Sequence, residues 1–387
     1  MARRGTPHHG SHRAEPYGRQ VGSTQPRSRT VGSTQRPSGT ARLVELVFLP
    51  GLEDVVRVEV AERVPQGRGW KVVPGRPDAI AGTVGGSLAP LLALRTVVAP
   101  FLQMAFPVPR PRSLLSGEFF PTIVAGVEEA SRLNRSAPPR SFRIEAAGRD
   151  STVMRTIATQ LAQATGLRAD PESGDCVIRL RPSTNGLGWD VLVRLTPMPL
   201  SARPWRVAGY TAAANATVAA AMALLAGSDA RDRVANLMCG SGTLLIERLL
   251  AGPARSAVGV DASRAAIAAA TANLEAAGLA PRARLITGDI CDDEWLEAGP
   301  FDCLLADPPW GDKSGRHEEN EAVHAALLER AHAAAAHGAR LVVLTHEIKI
   351  MERCLRQASD RWRMKSQIRV FQKGHHPRIY VLSRVPG

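Results

Sequence analysis

Apolar and polar residues alternate in short runs through the first half of the chain. The clearest runs are SFRIEAAG (141–148), DCVIRLRPS (175–183) and GWDVLVRLTPMP (188–199). Alternation with a period of two is typical of strands that bury one face of a sheet. These runs, with a helical pattern at 154–165 between the first two, predict a small α+β unit.

Two segments nearer the amino terminus predict further elements of this half. LVELVFLPGLEDVVRVEVAERV (43–64) predicts a strand, a Pro-Gly turn and an amphipathic helix. Residues 88–105 predict another helix. The helix at 154–165 is expected to end at Gly166, because glycine commonly terminates helices.

From Arg231 onward, apolar runs of strand length alternate with helical patterns. This alternation implies a parallel, doubly wound sheet. The last two runs are joined only by the loop KGHHP (373–377), which implies one antiparallel strand at the sheet edge. The predicted fold class is therefore α/β, with an α+β region over 41–206 and a Rossmann-like domain over 207–387. The predicted strands of that domain are RVANLM, SAVGVD, RARLITGD, FDCLLAD, ARLVVLTH, RMKSQIRVFQ and RIYVLSRV.

Residues 1–40 lack any such pattern. They contain VGSTQ twice, among glycine, serine, threonine, proline and arginine, a composition that cannot bury a core. We therefore expect a disordered basic tail. The 387-residue chain carries a formal charge of +13, of which this tail supplies +6. Such a basic balance favours a polyanionic partner, with RNA or DNA ahead of an anionic membrane, although a GC-rich genome would also enrich arginine.

The cysteines and the apolar runs exclude several classes of protein. No CxxC occurs and no Cys/His spacing suits zinc, so we expect no metal. Scattered thiols argue for a reducing, cytoplasmic location. No apolar run reaches the roughly 18 residues of a membrane span, so we expect no membrane partner. The five cysteines are Cys176, Cys239, Cys291, Cys303 and Cys354.

Candidate cofactor-binding residues follow three of the predicted strands. Gly240 and Gly242, in NLMCGSGTLLIE (236–247), lie where glycine allows a tight turn and close approach of a ligand to the backbone. Asp261 ends the next strand, where an acid can accept hydrogen bonds from ribose hydroxyls. Asp289 ends the third, within reach of an adenine amino group. Either acid alone also suits a cap or a turn, but three strand ends facing one edge favour a nucleotide-like cofactor.

The fourth strand ends in LLADPPWGDK (304–313), which presents an acid, two prolines and an indole. An exocyclic amine on a base is a poor nucleophile because its lone pair is delocalised into the ring. Asp307 and the Pro308 carbonyl can accept its two hydrogens, and Pro309 stiffens the backbone. Trp310 offers a face on which an extruded base can stack.

NLMCGSGT, VGVDAS, ITGDI and DPPW, in this order, resemble motifs I to IV of the class I S-adenosylmethionine-dependent methyltransferases. The motif IV form is similar to that of enzymes that methylate exocyclic amino groups. FLPGLEDVVRVEV, SFRIEAAGRD, VIRLRPS, WDVLVRLT and PLSARPWRV, in the preceding half, resemble the THUMP-domain RNA methyltransferases, with the THUMP-like part over about 110–206. The members that look most similar methylate guanine N2 in tRNA.

The resemblance implies S-adenosylmethionine as the cofactor and a set of residues that bind it. Asn236 departs from the family pattern, because an acid usually ends the first strand; an amide can still hydrogen-bond the methionine ammonium. Trp310 replaces the more usual tyrosine or phenylalanine. The implied catalytic residues are Asp307, Pro308, Pro309 and Trp310. The implied cofactor-binding residues are Asn236, Cys239, Gly240, Ser241, Gly242, Thr243, Asp261, Ala262, Asp289, Ile290 and Asp307.

RNA is the expected partner, with tRNA first, and the expected reaction is in-line methyl transfer to N2 of a flipped guanine. Other possible targets are a guanine in 23S rRNA, N6 of adenine in DNA, and a glutamine side chain. A further alternative is a catalytically weak RNA-binding protein that keeps the fold. The candidate phosphate contacts, each of which also suits a solvated face, are Arg149, Arg155, Arg181, Arg203, Arg206, Lys313 and Arg316.

Overall fold

The structure is a computed structural model, and it describes residues 41–184, 186–210, 213–309, 317–371, 374 and 376–386, with the side chains of 317–319 excepted. The predicted basic tail, 1–40, lies outside the described residues. The described residues form one compact unit that contains two sheets.

The first half of the chain forms a single eight-stranded sheet, in the order β2-β3-β1-β4-β8-β7-β5-β6. Neighbouring strands run antiparallel except at the β7-β5-β6 end, where the pairing is parallel. The strands are β1 (Arg42–Phe48), β2 (Gly67–Val73), β3 (Arg76–Val84), β4 (Val97–Phe106), β5 (Ser141–Ala146), β6 (Arg168–Ala169), β7 (Cys176–Pro182) and β8 (Trp189–Arg194). The helices are α1 (Glu53–Arg63), α2 (Phe119–Leu133) and α3 (Thr152–Thr165).

The helix predicted at 88–105 is wrong. A short 3-10 turn, Ala89–Ala93, is followed by strand β4, which lies between β1 and β8 near the middle of the sheet. Pro100 lies inside this segment. A proline in the interior of a helix removes one backbone hydrogen bond and its ring clashes with the preceding turn, so this residue disfavours a helix. The strands at 141–148, 175–183 and 188–199 are confirmed, as is α3, which ends at Gly166 with a φ of 72°.

The second half forms a seven-stranded sheet in the order β11-β10-β9-β12-β13-β15-β14. Strand order reverses between β9 and its neighbours β10 and β12, which creates a crevice at the carboxyl ends of these strands. The strands are β9 (Arg233–Leu237), β10 (Ser256–Asp261), β11 (Arg284–Thr287), β12 (Phe301–Ala306), β13 (Ala335–Thr345), β14 (Trp362–Arg369) and β15 (Arg378–Arg384). The helices are α4 (Ala216–Ala226), α5 (Thr243–Ala251), α6 (Arg264–Ala276), α7 (His317–Ala334) and α8 (Ile348–Gln357).

The antiparallel strand is not at the edge of this sheet. β15 pairs antiparallel with both β13 and β14, and β14 forms the edge. The chain therefore passes β14 to the outside before β15 fills the space beside β13. Helices α4 and α5 pack on one face of the sheet, and α7 and α8 pack on the other.

The two halves share a hydrophobic core. Val56 of α1 and Val218 of α4 belong to the same buried cluster. At the far side of the sheet, the Phe371 amide donates to the carbonyl of Pro50, 3.0 Å away, in the turn that precedes α1. The first half therefore packs directly against the domain that carries the cofactor motifs.

Candidate active site

The turn after β9 is held open by backbone conformations that few residues adopt. Met238 has a φ of 52°, and Gly240 and Gly242 have φ values of 53° and 78°. A positive φ costs glycine little but strains other residues, so Met238 is a strained position that its surroundings hold in place. The Cys239 amide donates to the carbonyl of Val260 at 2.9 Å, which joins the turn to β10. Helix α5 begins directly after Gly242.

A cavity of about 610 Å³ opens beside this turn, at the carboxyl ends of four parallel strands. It is large enough for a drug-sized ligand and is mainly apolar, with a few polar groups. Nine of the eleven predicted cofactor-binding residues line it: Cys239, Gly240, Ser241, Thr243, Asp261, Ala262, Asp289, Ile290 and Asp307. The structure therefore brings together residues that are up to 68 positions apart in the sequence.

Asp261 links the turn to β10 while it still faces the cavity. One carboxylate oxygen accepts a hydrogen bond from the Gly240 amide at 2.8 Å, and the other accepts one from the Ser263 amide at 2.9 Å. A carboxylate has about four lone-pair sites, so two remain for hydroxyl groups of a ligand. This arrangement suits the predicted ribose contact.

The end of β11 presents Asp289 and Ile290 to the same cavity. The Asp289 carboxylate accepts a hydrogen bond from the Cys291 amide at 2.9 Å. The carbonyl of Ile290 accepts hydrogen bonds from the Trp295 indole at 3.0 Å and from the Arg330 guanidinium at 3.1 Å. These contacts fix the loop, so that the Ile290 side chain can form an apolar wall for a planar ring.

Asn236 and Gly242 do not line the cavity. The Asn236 side chain is 1% exposed, donates to the carbonyl of Leu305 at 3.2 Å and accepts from the Leu245 amide at 3.2 Å. It therefore ties β9 to β12 and α5, and the predicted contact with the methionine ammonium has no geometric basis here. Gly242 packs against Ala270, and a Cβ built on Gly242 would approach Ala270 Cβ to 3.2 Å.

Residues 205–210 and 213–214, called here the strap, lie over the first-strand turn, and the sequence analysis missed them. Tyr210, Ala213 and Ala214 line the cavity. The Asn273 side chain, on α6, accepts hydrogen bonds from the amides of Val207 and Ala208 and donates to the carbonyls of Ala208 and Ser241. The tyrosine just before helix α4 was the available sequence signal.

Helix α7 supplies another wall of the cavity, which the sequence analysis did not predict. Ala322, Val323 and Ala326 face it, at the spacing of one helical face. On another face of the helix, His324 is buried, with Nδ1 at 2.7 Å from the carbonyl of Asn320 and Nε2 at 2.9 Å from the Thr345 hydroxyl. Burial lowers the pKa of His324.

Asp307, Pro308 and Pro309 follow β12 and line the cavity on the side of α7. Asp307 is partly exposed, Pro308 is buried and Pro309 is exposed. The predicted target-base residues therefore lie at the same cavity as the predicted cofactor residues. Trp310, Lys313 and Arg316 lie outside the described residues, so their roles stay predictions.

Two of the candidate phosphate contacts, Arg203 and Arg206, lie at the junction of the two halves, where Arg203 is buried and Arg206 is partly buried. The Arg203 side chain is 5% exposed and pairs with the fully buried carboxylate of Glu247 at 2.8 Å. Arg206 donates to Thr243 Oγ1 and to the carbonyl of Ala214 at 3.0 and 2.9 Å, and burial lowers the pKa of its guanidinium. Arg203 therefore cannot reach a phosphate, and Arg206 stabilises the strap.

Arg181 also serves the fold. It lies on the sheet face opposite the helices, where it pairs with the fully buried carboxylates of Glu45 at 3.2 Å and Asp190 at 3.6 Å. Its guanidinium is neutralised there, which removes the basis for a phosphate contact. Arg149 is half-exposed, with two exposed acids nearby, and Arg155 is exposed. Arg149 and Arg155 therefore remain candidate phosphate contacts.

The Cys239 thiol, in the turn after β9, is unreactive. Cys239 is buried, and burial raises the pKa of its thiol well above the usual range. It therefore stays protonated, as a turn residue with no nucleophilic role. Among the described residues, no group of three or more His, Cys, Asp or Glu side chains could hold a metal ion. None of the described helices is both long and apolar enough to cross a membrane.

The cavity fits S-adenosylmethionine by its donors, acceptors and shape. Asp261 and Asp289 offer carboxylates to hydroxyl and amino groups, Ile290 offers an apolar wall, and the amino terminus of α5 and its glycine turn allow close approach of a ligand to the backbone. The cavity continues to Asp307 and Pro308, where a second molecule can meet the reactive end of the first.

Comparison with known proteins shows what the part of the chain that forms this cavity is similar to. Residues 203–378 match the RMKL-like methyltransferase domain. The mouse U6 snRNA (guanine-N(2))-methyltransferase THUMPD2 is 32% identical over 160 residues, which are 41% of this chain and 29% of the mouse protein. Ribosomal RNA large subunit methyltransferase K/L of Stutzerimonas stutzeri is 38% identical over 117 residues, 29% of this chain and 16% of that protein.

The fold extends the likeness to both halves. TrmN from Thermus thermophilus superposes with a TM-score of 0.67 over 89% of this chain and 99% of its own length, at 23% identity. The chain spans less than a third of the length of the curated relatives described above. Residues 203–378 therefore match the RMKL-like methyltransferase domain and have the fold of the class I methyltransferases, whose cofactor is S-adenosylmethionine.

Proposed function

We propose that the protein is an RNA methyltransferase that modifies the exocyclic N2 of a guanine, with tRNA as the leading substrate. The observation that carries the proposal is a single cavity that joins the Asp261 and Asp289 carboxylates to the Asp307-Pro308-Pro309 strand end. The names of the mouse and Stutzerimonas relatives, which specify guanine N2 and ribosomal RNA, support RNA as the substrate class.

The residues of this strand end can make a poor nucleophile reactive. The cofactor, when bound, supplies an electrophilic methyl group on a sulfonium. Asp307 and the Pro308 carbonyl accept the two hydrogens of the guanine amine and turn its lone pair toward the cavity. Because the prolines fix the backbone, this orientation is set before the reaction, and orientation can supply several kcal/mol of the rate. Asp307 then lies close enough to receive the proton that the methylated amine releases.

The first half of the chain is proposed to deliver the RNA. Its residues 110–206 are the THUMP-like part, and Arg149 and Arg155 remain exposed there. A large sheet that packs against the catalytic domain suits a structured polymer better than a small substrate or a short peptide loop. A guanine in rRNA is the alternative target, and DNA adenine and a glutamine side chain rank behind both RNAs. All five cysteines are free, which supports the proposed cytoplasmic location.

Tritiated-methyl transfer from S-adenosylmethionine to unfractionated tRNA and to rRNA, followed by nucleoside digestion, tests the proposal directly. We expect N2-methylguanosine from tRNA. Methylated adenosine or methylated protein would overturn the assignment of the base. Cofactor binding without transfer to any RNA would favour a weak RNA-binding protein that keeps the fold.

Asp307→Ala should abolish methyl transfer, because the amine loses the acceptor that orients its lone pair. Calorimetry with S-adenosylhomocysteine should show a dissociation constant within about threefold of wild type, since Asp261 and Asp289 remain. A loss of about 100-fold or more is expected for a group that acts on the reacting centre. Glu294→Ala, an exposed acid outside the cavity lining, serves as the control and should retain full activity. Survival of activity in Asp307→Ala would refute this account of the strand end.

A further inference from the structure

An exposed cluster lies at the carboxyl end of strand β14, outside the cavity. It consists of Arg369, Phe371 and His376. We propose that this cluster, called here the β14 platform, binds an unpaired nucleotide of the RNA that flanks the target guanine. The proposal rests on the proposed function, because it takes RNA as the substrate.

Phe371 is 40% exposed, so its ring is accessible to a ligand. The Arg369 guanidinium carbon lies 4.8 Å from the centroid of this ring. The His376 ring meets it edge-on, with centroids 4.8 Å apart and an angle of 63° between the planes. An aromatic ring beside a guanidinium is the combination with which proteins stack unpaired bases and hold their phosphates.

The backbone at Arg369, Val370 and Phe371 is anchored by contacts on both sides. The Phe371 amide donates to the Pro50 carbonyl at 3.0 Å, and the Val370 amide donates to the Pro377 carbonyl at 2.9 Å. Gly51 packs so closely that a Cβ built on it would lie 1.9 Å from the carbonyl oxygen of Arg369. The first half of the chain therefore contacts the backbone of the platform directly, so that an RNA guided by one half meets both.

Sheet register places the platform at the same edge as the target-base residues. Arg369 is paired with Arg378, and Arg378 is paired with Thr345 at the end of β13. Ala306 is paired with Val343, so Pro308, two residues later, is level with Thr345. Pro308 and Arg369 are therefore separated by three strand spacings of about 4.8 Å each, which puts the platform roughly 14 Å from Pro308. A polynucleotide bound at the cavity spans this distance within a few nucleotides.

Charge favours RNA over a protein as the occupant. Within the part of the chain that the structure describes, no carboxylate is within ion-pair distance of Arg369. The neighbouring Arg378 differs, because it pairs with Glu352 at 2.8 Å. Further exposed cations lie on α8 and elsewhere on β14, and the chain as a whole carries +13. These exposed cations are Lys349, Arg356, Arg363 and Lys365.

The platform can be tested by binding as well as by turnover. The probes are a fluorescein-labelled 12-nucleotide oligouridine, followed by anisotropy, and methyl transfer to unfractionated tRNA. Phe371→Ala should weaken oligouridine binding and raise KM for tRNA about tenfold, because one stacking contact is lost. Its kcat and its affinity for S-adenosylhomocysteine should not change. Phe371→Trp should bind oligouridine about as tightly as wild type, because the indole keeps a stacking face.

Arg369→Gln tests for a phosphate contact through the salt dependence of oligouridine binding, which would not change if Arg369 had only a structural role. Loss of one phosphate contact should reduce the slope of log K against log salt concentration by about 0.7. Phe371→Ala should leave that slope unchanged. The matched controls are Met364→Ala and Arg363→Gln, which alter exposed residues at the other end of the same strand. Thermal melting of each variant checks that it folds.

Three outcomes would overturn the platform: no binding of oligouridine by the wild-type protein, wild-type binding by Phe371→Ala, or equal losses in Phe371→Ala and Met364→Ala. Wild-type binding by Phe371→Ala would leave the exposed ring as a protein-docking surface. If wild type binds oligouridine through Phe371 but transfers no methyl group, the proposed function fails while the platform stands. If wild type forms N2-methylguanosine and Phe371→Ala keeps wild-type oligouridine binding and KM, the proposed function stands and the platform fails.

Discussion

At the scale of single residues, Asn273 has the most specific role that the sequence analysis did not identify. Its side-chain oxygen accepts hydrogen bonds from the Val207 and Ala208 amides at 3.0 and 2.9 Å. Its nitrogen donates to the Ala208 and Ser241 carbonyls at 3.1 and 3.0 Å. The amide is fully buried, and all its usual hydrogen-bonding positions are filled. One side chain therefore joins the strap that carries Tyr210 to the turn that lines the cofactor cavity.

Asn273→Ala should weaken cofactor binding and destabilise the fold. The change leaves buried amides and carbonyls without partners, and each such group costs about 1–3 kcal/mol. We expect the dissociation constant of S-adenosylhomocysteine, measured by calorimetry, to rise at least tenfold. Asn273→Asp keeps the acceptor for Val207 and Ala208 but loses the donor to Ser241, and it should show an intermediate loss. A dissociation constant within twofold of wild type in Asn273→Ala would contradict this role.

Residue types at strand ends could be assigned from sequence, but the partners of charged residues could not. Asp261, Asp289 and Asp307 follow strands whose order gives them one shared edge, so a local pattern was enough. Arg181 and Arg203 depend instead on Glu45 and Glu247, which are 136 and 44 residues away in sequence. A single sequence carries no signal for such distant ion pairs, so buried and exposed arginines look alike.

At the scale of elements, short-range patterns predicted the second half of the chain better than the first. A parallel sheet alternates strands with helices along the chain, so its order can be read locally. In the first half, β4 pairs with β1 and β8, and its nearest paired position, Phe48 opposite Val97, is 49 residues away in sequence. The hairpin of β2 and β3 was also missed, although Pro74-Gly75 between them is a turn signal.

Helix α7 depends on a buried histidine for its position, and this makes its stability sensitive to pH. A carbonyl only accepts, so His324 Nδ1 carries the proton that reaches Asn320, and Nε2 accepts from the Thr345 hydroxyl. The Thr345 oxygen also accepts from the Glu347 amide at 3.0 Å. This arrangement uses the neutral ring. Burial lowers the pKa of His324, and the hydrogen bond to the Asn320 carbonyl and the nearby Glu347 carboxylate offset only part of that shift.

The fold should lose stability as the pH falls from 7 to 5, and His324 should account for a measurable part of the loss. The unfolded chain binds the proton near pH 6.5, while the folded pKa is lower, so this contribution is complete above about 6.5 and declines below it. The decline can reach about 1.4 kcal/mol per pH unit. Urea denaturation at both pH values should show a smaller pH dependence for His324→Gln. The exposed His337→Gln is the control and should behave as wild type. Equal pH dependence in both variants would refute the prediction.

At the scale of the whole molecule, one buried carboxylate joins the two halves. Glu247 lies on α5, the helix whose first turn borders the cofactor cavity, and it is fully buried. It accepts hydrogen bonds from Arg95 at 2.7 Å and from Arg203 at 2.8 Å. The backbone amide at Arg95 in turn donates to buried Glu59 of α1 at 2.7 Å. The orientation of the first half relative to the cofactor helix therefore depends on a charge cluster as well as on apolar packing.

Glu247→Gln should damage transfer to RNA more than it damages cofactor binding. The substitution leaves two largely buried guanidinium groups without a counter-charge, and breaking such a pair typically costs about 3–5 kcal/mol. Urea denaturation should show a loss of that size. The cofactor cavity is built from the first turn of α5 and not from Glu247, so the dissociation constant of S-adenosylhomocysteine should change by less than fivefold. The value of kcat/KM for tRNA should fall further, because the half that guides the RNA is no longer held in one orientation. Glu275→Gln, an exposed acid on α6, is the control for loss of one negative charge. If both variants lower kcat/KM equally, Glu247 has no special role in joining the halves.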